Sequence, residues 1–74
     1  MMFFPISDFI LEEMEFRGWN AQTLSEHSGI ELAMVYDLLA DKQKMTMWIA
    51  AGLATAFGTS ILYWVKLSRA IETA

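Results

Sequence analysis

A chain of 74 residues with no cysteine and one histidine excludes disulfides and any Cys/His zinc site, and its length is that of a single domain spanning residues 1–74. At this size folding hides only about 60% of the surface that the unfolded chain exposes, so the helices or partners must pack efficiently. The formal net charge of −4 is the wrong sign for binding nucleic acid through bulk charge, because phosphate neutralisation supplies most sequence-independent affinity.

Distribution matters more than the sum. The acids Asp8, Glu12, Glu13, Glu15, Glu26, Glu31, Asp37 and Asp41 all precede residue 42, where the only Lys or Arg is Arg17. Lys42, Lys44, Lys66 and Arg69 stand against Glu72 in the remainder. Any positive patch must therefore be built from the second half. The start, Met1-Met2-Phe3-Phe4-Pro5, lacks the basic residues and long apolar run of a secretory signal, which makes the cytoplasm the expected compartment.

Pro5-Ile6-Ser7 is expected to open a first helix, with Ser7 or Asp8 as its cap and Asp8, Glu12 and Glu13 suited to its positive end. Ile6, Phe9, Ile10, Met14 and Phe16 supply its apolar side, and Gly18 ends it after Arg17. Glu12, Glu13 and Glu15 read as a solvated face, since no base or second ligand sits at a useful spacing for catalysis or metal binding.

Asn20 caps a second helix expected over residues 21 to 27, and Gly29 stops it by taking the left-handed conformation. A third helix over residues 31 to 40 carries Val35, Leu38 and Leu39 on one face, to share a core with Leu24 and Ile30. Two short helices across a glycine turn form the helix-turn-helix pattern, whose second helix can enter a DNA major groove. His27, near the end of its helix, has no Ser or acid spaced to make a triad and is read as structural.

A polar loop, Asp41-Lys42-Gln43-Lys44, leads to Thr46, which caps a fourth helix reaching Phe57. Ile49, Ala50, Leu53, Ala54 and Phe57 make its buried stripe. Gly58-Thr59-Ser60 combines a stop with two cap candidates, and a last helix over residues 61 to 72 places Trp64, Leu67, Ser68 and Ile71 on one side, with Tyr63 at the rim. Residues 45 to 65 contain no charge and are numerous enough to cross a bilayer, which keeps a small membrane protein open as a rival reading.

The chain resembles the lambda-repressor-like (XRE-type) helix-turn-helix proteins, and within them the HigA-type antitoxins, or plasmid-maintenance antidote proteins. The residues that carry the resemblance begin with Pro5 to Met14 and Arg17-Gly18-Trp19, then Leu24, Glu26, Gly29-Ile30, Val35, Leu38-Leu39, Lys42 and Thr46. Most specific is the closing run Leu53-Ala54-Thr55-Ala56-Phe57-Gly58-Thr59-Ser60, followed by Tyr63-Trp64 and Leu67.

The resemblance implies an all-α, five-helix lambda-repressor-like DNA-binding domain, commonly a homodimer, that represses its own operon and neutralises a co-encoded ribonuclease toxin. It makes Gly58-Thr59-Ser60 a loop between two soluble helices, against a membrane span. It assigns base reading to Glu31, Ala33, Met34, Tyr36 and Asp37, and backbone contacts to Gln22, Lys42 and Lys44. Two features depart from the family pattern: Ala21 stands where a phosphate-binding Gln is frequent, and Asp37 where an Arg is common. An acid there accepts a bond from a cytosine amino group but repels phosphate.

The outer face of the fourth helix, generally charged in the family, carries Trp48, Ala51, Gly52 and Thr55 here. That apolar face is expected to be a protein interface, covered by a second protomer or by residues 1–4. The leading expectation is therefore a sequence-specific DNA-binding regulator of the antitoxin type. Its alternative is a repressor-like module without DNA affinity that acts through protein contacts. No enzyme activity, metal, cofactor or small-molecule substrate is expected.

Overall fold

The computed structural model describes residues 5–73, with side chains through Arg69; residues 1–4, invoked above as a cover for the fourth helix, and the side chain of Ile71 lie outside them. Five helices make up this part: α1 (Ile6–Arg17), α2 (Ala21–Ser28), α3 (Leu32–Leu39), α4 (Met47–Phe57) and α5 (Ile61–Thr73). The described residues contain no strand.

Gly58 decides how the uncharged stretch folds. Its φ of 71° lies in the left-handed region, and its N–H closes on the Ala54 carbonyl at 2.8 Å. A residue with a Cβ resists that conformation, so the chain turns here instead of continuing as one rod. The products are helices of 11 and 13 residues, and no helix among the described residues is long and apolar enough to cross a membrane.

Ile10, Met14, Leu24, Ile30, Val35, Leu38, Ile49, Ala50, Leu53, Ala54, Phe57 and Trp64 form one buried cluster fed by all five helices. Trp64 is completely buried, and its indole N–H donates to Thr59 Oγ1 at 2.7 Å, so its one polar atom enters the core already satisfied. Phe57 bridges Trp64 and Trp19 at centroid separations of 5.8 and 5.6 Å. Trp19 in turn stacks on His27, in the last turn of α2, at 4.4 Å.

The first helix differs from expectation in two ways. It begins at Ile6 without a side-chain cap of its own, and Ser7 is buried. The orphan N–H of Ser7 instead donates to Asp41 Oδ1 at 3.4 Å while the Ser7 hydroxyl donates to Oδ2 at 2.7 Å. Asp41, at φ 58°, terminates α3: its N–H meets the Leu38 carbonyl, and the Lys42 N–H meets that of Asp37 at 2.8 Å. The same residue thus closes α3 and caps α1. Phe16, expected on the apolar side, is 85% exposed. Two residues past Met14 amount to roughly 200° around the helix, which carries its ring away from the core.

Arg17 is consumed internally. One guanidinium nitrogen donates to the carbonyl and carboxylate of Glu13, both at 3.2 Å, and the other donates to the Phe57 carbonyl at 2.9 Å. A cation at the carbonyl end of α4 is well placed electrostatically, and it ties α1 to α4.

Candidate functional site

The most distinctive surface starts at α2. Asn20 Oδ1 accepts from both the N–H and the hydroxyl of Thr23 at 2.9 Å, and the first turn carries no acid. Gln22 is exposed there, beside the positive end of the helix. The turn that follows is held by its own serines: Ser28 Oγ accepts from the Ile30 N–H at 3.1 Å, and Ser25 Oγ donates to the Ile30 carbonyl. Ile30 is thereby fixed with its side chain in the core.

Val35 and Leu38 anchor α3, leaving Glu31, Ala33, Tyr36 and Asp37 exposed; Tyr36 is 58% open to solvent. Ala33, Tyr36 and Asp37 fall on one outward face of α3, whereas Glu31 is its N-cap and is exposed ahead of the first turn. Met34, expected among them, is half-buried and packs against the core, because it neighbours Val35 and lies four residues before Leu38 on the inner side. Lys42 and Lys44 are both exposed in the loop after α3. Lys44 lines a cleft of ≈ 340 Å³ with Pro5, Ile6, Met45 and Ser68, so it stands on the α1/α5 side of that loop. No Lys or Arg lies on α3 itself, while Glu26, Glu31 and Asp37 are exposed on and around the α2–α3 pair.

On α4, Trp48 is 61% exposed, Thr55 is exposed and Ala51 half-buried. Gly52 corrects the expectation of an open face: it is buried by the chain itself. A Cβ built on Gly52 would stand 2.9 Å from the Ser28 carbonyl oxygen and 2.9 Å from Ile30 Cγ1. The close approach that this glycine permits is taken by the α2–α3 turn, not left for a second protein. What remains is a groove of ≈ 330 Å³ lined by Ser28, Gly29, Trp48, Ala51, Gly52 and Thr55. The contribution of the turn to this groove has no local signature in the sequence, since it arises from contact between α2 and α4.

Among the described residues, no group of three or more His, Asp or Glu is arranged to hold a metal ion. The chain matches no family model, no curated protein and no solved structure. The repressor-like resemblance therefore stands on the residues quoted for it, and the chemistry of the site has to be read from its own side chains.

Proposed function

We propose that the chain is a sequence-specific DNA-binding regulator of the HigA-like antitoxin type, built on a lambda-repressor-like helix-turn-helix, with α3 entering the major groove. The observation that carries this reading is the outward face of α3, where Ala33, Tyr36 and Asp37 stand in solvent, with Glu31 exposed at the N-cap, while Val35 and Leu38 hold the helix to the core. Glu31 and Asp37 accept from cytosine amino groups, Ala33 meets a thymine methyl, and the Tyr36 hydroxyl reaches phosphate. Gln22 at the start of α2 and Lys42 and Lys44 after α3 contact the backbone. Two lysines per protomer correspond to a salt slope of about −2, a modest electrostatic contribution. Repression of its own operon in the cytoplasm and capture of a co-encoded ribonuclease toxin complete the proposal.

A second reading is favoured by one specific feature: α3 presents two acids and an exposed tyrosine without a base. Such a face suits a basic protein surface, and the module would then work through protein contacts without DNA affinity. Titrating the chain against its own upstream DNA at several salt concentrations separates the two. Specific affinity that weakens with salt supports the regulator. Weak, sequence-blind association removes it, and retention of a basic ribonuclease encoded beside it would then favour the protein-contact module.

A further inference from the structure

Two clefts meet between the α3–α4 loop and α5, sharing Met45 and Ser68 as walls. The wider, of ≈ 340 Å³, takes its apolar lining from Pro5, Ile6 and Met45 and also carries Asp41 and Lys44. The narrower, of ≈ 200 Å³, is bounded by Thr46, Met47, Val65 and Arg69. Apolar walls with a few polar groups at one end, at this volume, suit a small organic ligand.

Ser68 marks the junction as more than a gap in the packing. The residue is 9% exposed, and its hydroxyl has no hydrogen-bond partner among the described residues. A serine within a helix ordinarily turns its hydroxyl back to the carbonyl four residues earlier, and Ser68 makes no such bond. Among the described residues no side-chain polar atom sealed from solvent lacks a partner, so the Ser68 oxygen opens into the clefts that the residue lines.

The start of α4 opens on the same place. Thr46 Oγ1 accepts from the Ile49 N–H at 3.1 Å and the Thr46 carbonyl from that of Ala50 at 2.9 Å, which leaves the N–H groups of Met47 and Trp48 without an acceptor among the described residues. The first turn of α4 carries no acid, and the described walls of the narrower cleft include none. Arg69 adds positive charge there while keeping an interaction of its own. Unbonded amides at a helix start, a hydroxyl and a cation together favour a negative group.

We propose that the joined clefts bind a small organic acid, with its carboxylate in the narrower part against Ser68, Arg69 and the α4 amides, and its apolar body along Pro5, Ile6 and Met45. One guanidinium, one hydroxyl and two amides match the two oxygens of a carboxylate, whereas a phosphate dianion would find too few cations. Both carboxylate oxygens of Asp41 are bonded by Ser7, and its charge keeps the ligand's head out of the wider cleft. The site is independent of DNA binding, so either can fail and leave the other standing.

Octanoate, kept below its micelle concentration, is the probe, and amide chemical shifts of the isotope-labelled chain are the readout. Saturable shifts should appear at Met47, Trp48 and Ser68, and neither octanol nor inorganic phosphate at the same concentration should saturate them. Arg69→Gln should raise the octanoate dissociation constant on the order of ten-fold, the loss expected for a hydrogen bond to a charged group. Lys66→Gln, the same charge change at an exposed α5 position outside both clefts, should leave it within about two-fold. Met47→Glu sets a carboxylate in the cleft at a position 62% exposed. An acid in the first turn suits the helix dipole, so Tm should hold or rise while octanoate binding is lost. No saturable shift overturns the proposal, as does equal binding of octanol or of phosphate alone, or octanoate binding indifferent to Met47→Glu and Arg69→Gln. Binding that begins only when residues 1–4 are removed overturns it as well, and assigns the clefts to the chain's own start.

Discussion

Replacing Gly52 by alanine tests the packing of α4 against the turn through the sign of its effect. On an open helical face the change stabilises, by about 1 kcal/mol, because glycine is the poorer helix former. Here the new methyl would meet the Ser28 carbonyl oxygen and Ile30 Cγ1 at 2.9 Å each, with Ile30 Cδ1 at 3.0 Å. The Ile30 side chain is 1% exposed and has little room to retreat, and the carbonyl belongs to the backbone of the turn. Overpacking costs roughly 1–3 kcal/mol, and because the contact is with backbone as well as a buried side chain this case lies in the upper part, about 2–3 kcal/mol, so after the propensity gain of about 1 kcal/mol the net expectation is a loss of about 1–2 kcal/mol. For a domain of this size that lowers Tm by roughly 5–15 °C. Thermal unfolding followed by far-UV circular dichroism measures it, with Thr55→Ala, an exposed position on the same helix, as the control expected to stay within about 0.5 kcal/mol. A Gly52→Ala variant as stable as wild type, or more so, would refute the contact and restore an open α4 face.

Asp41→Ala should lose about 2 kcal/mol in urea denaturation, because it strips the cap from Ser7 and puts alanine at a left-handed φ, whereas Asp41→Asn should keep most of that stability. Arg17→Met should cost about 1.5–3 kcal/mol by the same assay, leaving the Phe57 carbonyl without its charged donor; Arg17→Lys should recover only part, since the guanidinium serves Glu13 and Phe57 from different nitrogens. Lys42→Ala combined with Lys44→Ala should flatten the salt dependence of DNA binding by about 2 without moving Tm, as both side chains are exposed. An unchanged salt dependence would remove both lysines from the interface.

The parts of this fold that could be read in advance are those governed by neighbours in sequence. Asn20 and Thr46 cap α2 and α4 through the N–H three residues on, and Gly18, Gly29 and Gly58 stop helices through backbone geometry that side-chain-bearing residues resist. The stripe from Ile49 to Phe57 follows from helical period alone, and so does the exposure of Ala33 and Tyr36. Contacts between distant segments were not legible. The Ser7–Asp41 pair spans 34 residues and Arg17 reaches Phe57 across 40, so the sequence pointed to a local cap at Ser7 or Asp8 that the structure does not form. Gly52 looked like a surface residue because helical period places it on the Trp48 side; only the approach of Ile30 makes it interior. At the candidate site, period shows which side chains point outward but carries nothing about what they meet.

The dual service of Asp41 makes the beginning of the molecule depend on its middle. Until residue 41 has been synthesised, the Ser7 N–H and hydroxyl have no carboxylate to bond, and α1 lacks that cap. A fragment ending at Ala40 would carry the whole of α1, α2 and α3 in its sequence and still lack the group that completes the first of them.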